Sequence, residues 1–264
     1  MAVERIFPDW KDTYDIVDYL ELTARYRFAN GFVKNGSVGL DIACGAGYGT
    51  DILIRENNAR FYGVDRSEEA ICYAKDHYPD KRLEFVKADI EGTGFGPASF
   101  DIIVSFETIE HLEKEKGEVF LDILYDLLKP GGTLLISCPN KDTYPAVYDI
   151  NPYHKYEYSY EEILRAIRRN FADIGIYCQK IRYFKRLPKK FAQMIKHLPR
   201  RISGAVTDIA KEKYLKGAPL EDISAILRIF LYERYFEHDL FPFIEDYGAY
   251  KPVDFTFVCR KRYG

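Results

Sequence analysis

The chain has 264 residues, 47% of them hydrophobic, enough for one large domain, or a domain carrying an insertion, to close a core without covalent staples. A formal net charge of -3 excludes a cationic nucleic-acid coat, so any anion-binding surface has to be local. Cys44, Cys72, Cys138, Cys178 and Cys259 are odd in number and include no C-x-x-C pair, which points away from disulfides and zinc and towards a reduced, cytoplasmic protein without a metal. The amino-terminal MAVERIFPDWKD carries charges where a signal peptide needs an apolar centre, and no run approaches the roughly 18 apolar residues of a membrane span.

In chain order, DIVDYLELTARYRFANGFV (15–33) spaces Ile16, Tyr19, Leu20, Leu22 and Tyr26 as an amphipathic helix. VGLDIAC (38–44) reads as a buried strand, residues 48–57 as a helix, RFYGVD (60–65) as a second strand and SEEAICYAKDHY as a helix capped by Ser67. LEFVKAD (83–89), FDIIVSF (100–106) and TLLISC (133–138) are three more strands, the last preceded by a helix at about 114–128 that Pro130-Gly131-Gly132 ends. A helix at 159–170, a strand at 173–181 and a closing strand at 254–261 follow. Strands alternating with helices imply a doubly wound, mostly parallel sheet covered on both faces.

Residues 182–253 read as a helix-rich, aromatic insertion before the last strand, within a single domain spanning 1–264. From Ile174 to Thr207 there is no acidic residue, whereas Lys180, Arg182, Lys185, Arg186, Lys189, Lys190, Lys196, Arg200 and Arg201 are basic, with Phe191, Met194, Ile195 and Leu198 as an apolar stripe. Three readings fit 180–201: a solvated helix face, a docking surface for a phosphorylated or nucleotide-linked substrate, or a patch for anionic membrane.

The first strand-to-helix turn, LDIACGAGYGT (40–50), has glycines at 45, 47 and 49 where doubly wound sheets hold nucleotides. A dinucleotide fingerprint wants a small residue at the sixth place from Gly45, which is Thr50, and the loop has no G-K-[ST] of a phosphate-binding loop. Asp41 beside the loop would repel a pyrophosphate and suits a cationic ligand group. Asp65 ends the next strand, where a carboxylate can accept from two ribose hydroxyls, and Asp89 follows the third strand at the same interval, although strand-end aspartates also serve simply as turn residues.

With D-x-A-C-G-x-G-x-G (41–49), YGVD (62–65), KAD (87–89), FDIIVSFETIEHL (100–112) and LKPGG (128–132) in this order, the chain resembles class I S-adenosylmethionine-dependent methyltransferases over about residues 20–180 and the closing strand. The resemblance implies a Rossmann-like, seven-stranded sheet with its last strand antiparallel, and S-adenosyl-L-methionine as cofactor. It places the turn of Ala43, Gly45 and Gly47 under the methionine part, with Asp41 near the ammonium. It also places Asp65 on the ribose, Asp89 on the adenine amino group, Arg66 and Ile90 beside the ring, and Ser105 and Phe106 along the methyl-bearing side.

For the acceptor, His111 and His154 would both lie at the ligand end of the sheet, where an imidazole can take a proton at neutral pH or simply hydrogen-bond a loop. Glu107 and Glu110 could orient them, or stand as solvated helix-start carboxylates. Base-methylating enzymes carry N-P-P-Y or Pro-Cys after the fourth strand; here that place holds SFET, which argues against a nucleic-acid substrate. RYRFA, ACGAGYGT and NPYHKYEYS resemble methyltransferases of bacterial surface-glycan and secondary-metabolite pathways. This resemblance implies O- or N-methylation of a sugar or glycan intermediate, phosphorylated or lipid-linked, with 182–253 as its acceptor-binding lid. A quinone or other small aromatic acceptor is the alternative, and a non-catalytic S-adenosylmethionine-binding scaffold or sensor is the third reading.

Overall fold

A computed structural model describes residues 16–142, 151–179, 241–242 and 254–263. In chain order the elements are α1 (Ile16–Asn30), β1 (Val38–Ile42), α2 (Tyr48–Ile54), β2 (Arg60–Asp65), α3 (Glu68–His77), β3 (Leu83–Lys87) and β4 (Phe100–Ser105). A single 3-10 turn (Ile109–His111), α4 (Lys114–Leu127), β5 (Leu128–Pro139), α5 (Tyr160–Arg168), β6 (Asp173–Gln179), β7 (Phe241–Pro242) and β8 (Asp254–Arg260) complete them.

The strands form one sheet in the order β3-β2-β1-β4-β5-β8-β6-β7. β1 to β5 are mutually parallel, and β8 runs antiparallel to both β5 and β6. The expected seven strands with an antiparallel last strand are therefore present. A two-residue β7 at the edge, antiparallel to β6, was not expected within the stretch read as helix-rich. The rest of 182–253, including the basic run 182–201, lies outside the described residues.

Alternation explains why the central strands are continuously apolar. Ile103, Leu134 and Ile136 point to one face, where they meet Phe120, Leu124, Ile163 and Ile167 of α4 and α5. Ile102, Val104 and Leu135, one residue out of phase, meet Tyr26, Ala29, Ile52 and Leu53 of α1 and α2 on the other. Each fully buried Leu, Ile or Phe contributes roughly 1.5–3 kcal/mol. No described helix is long and apolar enough to cross a membrane.

Two boundaries differ from the sequence reading, for local reasons. β1 stops at Ile42, not Cys44, because Ala43 turns into the left-handed region (φ 62). β5 starts at Leu128 because Pro130-Gly131-Gly132 ends α4 without ending the pairing. The register against β4 shifts between Phe100 and Ile102, so the chain passes from helix into strand through a bulge. The Ser67 cap is present, its Oγ accepting from the Ala70 N–H, and α5 begins with a reciprocal capping box between Ser159 and Glu162.

Candidate active site

The parallel strands β1 to β4 end side by side, Asp41 pairing with Val104 and Gly63, and Asp65 with Lys87. The turn after β1 has left-handed backbone at Ala43, Gly45 and Gly47 (φ 62, 55 and 81). A Cβ at Gly47 would sit 2.7 Å from the Ala74 Cβ, and one at Gly49 would lie 2.1 Å from the Tyr26 ring, so glycine there lets α2 close on its neighbours. At Gly45 a Cβ would meet nothing within 4 Å, which marks the open side of the turn. That bare backbone has room for the methionine end that the sequence resemblance implies.

Asp65, buried at the end of β2, fastens this turn. Its Oδ2 accepts from the Gly45 N–H at 3.0 Å and its Oδ1 from the Ser67 N–H at 2.8 Å. A carboxylate has about four acceptor positions, and these bonds use one on each oxygen. The Asp65 carbonyl accepts from the Ala88 N–H at 3.1 Å, which brings the turn of exposed Asp89 and half-buried Ile90 alongside β2. Arg66 is exposed beside them. Ser105, the last residue of β4, is fully buried with an Oγ that has no hydrogen-bond partner among the described residues, and Phe106 packs edge-on against Tyr26 at 5.1 Å. Ala43, Gly45, Gly47, Asp65, Asp89, Ile90, Arg66, Ser105 and Phe106 thus share one end of the sheet, and the bare turn and the orphan hydroxyl fit the expected cofactor.

Asp41, expected near the ammonium, is engaged from inside the fold. It is fully buried, with Oδ2 accepting from Thr50 Oγ1 at 2.6 Å and Oδ1 from the Tyr26 hydroxyl at 3.2 Å. Both oxygens face inward, so the carboxylate braces α1 and α2 against the turn. Burial raises its pKa to about 7; the two hydroxyls counter part of this and the Asp65 charge adds to it. Thr50, which broke the dinucleotide fingerprint, is the residue that holds Asp41.

Beyond β4 a second cluster forms. Glu107 is left-handed (φ 49); its N–H donates to Ser137 Oγ at 3.2 Å, and that hydroxyl donates to Glu107 Oε1 at 2.6 Å. Arg25, buried on α1, bridges Glu107 at 3.1 Å and Asp254 of β8 at 2.9 Å. Glu110 is not a solvated helix-start carboxylate. It is 1% exposed, and neither carboxylate oxygen has a hydrogen-bond partner among the described residues. Burial, then the Glu107 charge, pushes its carboxyl well above the usual range.

The Glu110 carbonyl accepts from the N–H groups of Lys155 and Tyr156 at 2.8 and 3.1 Å, which draws the segment after β5 onto the segment after β4. His111 and His154 consequently meet, ring centroids 5.0 Å apart in an edge-to-face contact. His111 Nδ1 is 3.2 Å from the Tyr153 carbonyl oxygen, and His154 Nδ1 is 3.1 Å from Glu157 Oε1. Both partners only accept, so both Nδ1 atoms carry the hydrogen and the lone pairs fall on Nε2. The Asn151 amide nitrogen, a donor, lies 3.1 Å from His154 Nε2, as this tautomer requires. Burial lowers the His111 pKa against the raising effect of the Tyr153 carbonyl, and neighbouring His154 lowers it further. The roles of Arg25, Thr50, Asn151 and Glu157 were missed in the sequence, although RYRFA contains Arg25, the glycine turn ends on Thr50, and NPYHKYEYS contains Asn151 and Glu157 at short spacing from His154.

The comparisons agree with this geometry. Residues 40–136 match the family of methyltransferase domains. A Mycolicibacterium smegmatis protein named as an S-adenosylmethionine-dependent methyltransferase is 32% identical over 126 residues, 47% of this chain and 47% of that protein. The rat mitochondrial ubiquinone biosynthesis O-methyltransferase is 35% identical over 108 residues, 39% of this chain and 30% of that one. The crystal structure of a SAM-dependent methyltransferase from Archaeoglobus fulgidus superposes with a TM-score of 0.59 at 21% identity, covering 91% of this chain and 93% of that one. The chain spans about half the length of the curated mycobacterial relatives it matches.

Proposed function

We propose that the chain, whose residues 40–136 match the methyltransferase-domain family, is a class I S-adenosylmethionine-dependent methyltransferase that transfers the methyl group to an oxygen or nitrogen of a small polar molecule, a sugar or surface-glycan intermediate. The observation that carries this reading is the imidazole pair. The two rings meet in the segments that follow β4 and β5, where an acceptor hydroxyl or amine would approach, with the Asn151 amide turning away from His154 Nε2.

When bound, the cofactor supplies an already electrophilic sulfonium methyl. The protein's work is alignment, which can lower a barrier by roughly 7 to 11 kcal/mol. Asp65 and the Gly45 backbone hold the ribose and methionine ends. Ser105 and Phe106 line the methyl-bearing side, and the buried Ser105 hydroxyl would gain a partner there. His111 or His154 accepts the proton of a hydroxyl acceptor at Nε2, an assistance of about 10²- to 10⁴-fold. A neutral amine would need alignment alone. Residues 182–253 would complete the acceptor pocket, with the basic run 180–201 meeting a phosphorylated or lipid-linked acceptor.

The test has two stages. Calorimetric titration with S-adenosylmethionine, S-adenosylhomocysteine and NAD should show binding of the two sulfur ligands, whereas tight NAD binding without response to them overturns the reading. Methyl transfer is then measured on sugars, amino sugars and quinols. Turnover confined to quinols would favour a small aromatic acceptor, the second reading, which the similarity to the ubiquinone enzyme supports. Binding without transfer to any of them would favour a scaffold.

A further inference from the structure

We propose that Glu110, His111 and His154 form a binding site for a divalent transition-metal cation, of the Zn²⁺ and Co²⁺ class. One carboxylate oxygen and one nitrogen from each ring all lie within 4.8 Å of one another. Nothing in the cysteine pattern foreshadowed this, because the three residues come from two segments that meet only after folding.

Three features separate this cluster from an ordinary polar contact. Glu110 is 1% exposed and both its oxygens are without a hydrogen-bond partner among the described residues, and a buried polar group left without a partner costs about 1–3 kcal/mol. A cation between Glu110 and the two rings would be that partner. Secondly, each imidazole already has the support that metal-binding histidines use, an Nδ1–H donated to oxygen: the Tyr153 carbonyl for His111, the Glu157 carboxylate for His154. This fixes the tautomer and leaves Nε2 as the donor atom of each ring. Thirdly, two nitrogens and one carboxylate oxygen are the ligand set of open, reactive zinc and iron sites and a poor match to Mg²⁺ or Ca²⁺, which prefer all-oxygen shells.

The side chains must draw together to bind, because bonds of about 2.1 Å in tetrahedral geometry put neighbouring donors about 3.4 Å apart. The Asn151 amide, 3.1 Å from His154 Nε2, has to turn aside. Three protein ligands leave a position for an acceptor oxygen, and the consequence would be acidification of a coordinated hydroxyl. Metal ligation and proton acceptance compete for the same Nε2 lone pairs, so this inference assigns the imidazoles a different role from that of a free base. It is tested without turnover.

Untagged, chelator-stripped protein is titrated with Zn²⁺ by calorimetry and with Co²⁺ by visible absorption. The expected result is one equivalent bound, d–d bands of a low-coordinate cobalt site, a melting temperature raised by Zn²⁺ and restored by EDTA, and no response to Mg²⁺. Glu110→Gln, His111→Ala and His154→Ala should each weaken Zn²⁺ at least about tenfold. Glu157→Gln, which acts only through His154, should weaken it by a similar factor. Melting and S-adenosylhomocysteine titration of each variant report that it is folded. Cys72, the exposed thiol, is replaced by Ser as a control and should leave binding intact. No Zn²⁺ binding to the wild-type chain, equal affinity in the three ligand variants, or loss only with Cys72→Ser overturns the proposal.

Discussion

The two halves of the site are built by different means. On the donor side, Asp41, the glycine turn and Asp65 are joined by contacts between residues 9, 15 and 20 positions apart. On the acceptor side, the contacts join residues 30, 42 and 229 positions apart: Glu107 with Ser137, His111 with Tyr153, Arg25 with Asp254. The donor side is a local motif laid on parallel strand ends. The acceptor side exists only once β5 and β8 are in the sheet, and its charges are buried in partnerships across the fold.

If the halves are separable in this way, the largest effect comes from the acceptor side and should be purely one of stability. Arg25→Ala leaves Asp254 and Glu107 without their common cation, and breaking a buried ion pair from one side costs about 3–5 kcal/mol. Urea unfolding should show that loss, while S-adenosylhomocysteine affinity, measured well below the unfolding midpoint, stays within about threefold, less than the 1.4 kcal/mol that a tenfold change represents. A parallel collapse of affinity would mean that Arg25 also organises the donor side, and the division would be wrong.

The converse variant is Asp65→Ala. It removes the acceptor of the Gly45 and Ser67 N–H groups and the expected partner of the ribose hydroxyls. Each hydrogen bond to a charged group contributes about 1.5–3 kcal/mol, so S-adenosylhomocysteine affinity should fall about ten- to a hundredfold or more, with a smaller loss of stability than Arg25→Ala causes. Unchanged affinity in the same calorimetric titration would remove Asp65 from the site.

This difference in construction explains what could be read in advance. Asp65, the turn at 43–47 and the Ser67 cap sit where the chain itself signals them, at the meeting of an apolar run and a glycine or a cap. The mostly parallel sheet followed because continuous apolar runs alternating with helices allow few topologies. Glu110 was legible as a residue but not as a state. Its burial depends on the Lys155 and Tyr156 N–H groups closing over its carbonyl from 45 residues downstream, which no local pattern encodes. The partners of Asp41 were hidden for a related reason: a charge next to a cradle suggests a ligand contact, and only the packing of α1 reveals that the Tyr26 hydroxyl donates to one of its oxygens.

The smallest effect sharpens that last point. Asp41 has a carboxyl raised from its ordinary value of 3.8 to about 7 in the folded chain. Between those values the folded state holds a proton that the unfolded state has released, so its stability contribution is present below about pH 4 and is lost as pH rises through about 7. The slope is at most about 1.4 kcal/mol per pH unit. Asp41→Asn removes this dependence while its amide oxygen still accepts from Thr50. Relative to wild type, the variant should therefore gain stability between about pH 5 and about pH 8. Glu110 has a raised carboxyl of its own, so the difference between the two urea profiles, not either alone, isolates Asp41. Parallel profiles would show that Asp41 is ionised in the folded chain at all these pH values. An Asp41 charge kept there would leave the carboxylate available to a ligand's ammonium and make the brace by Tyr26 and Thr50 a resting arrangement.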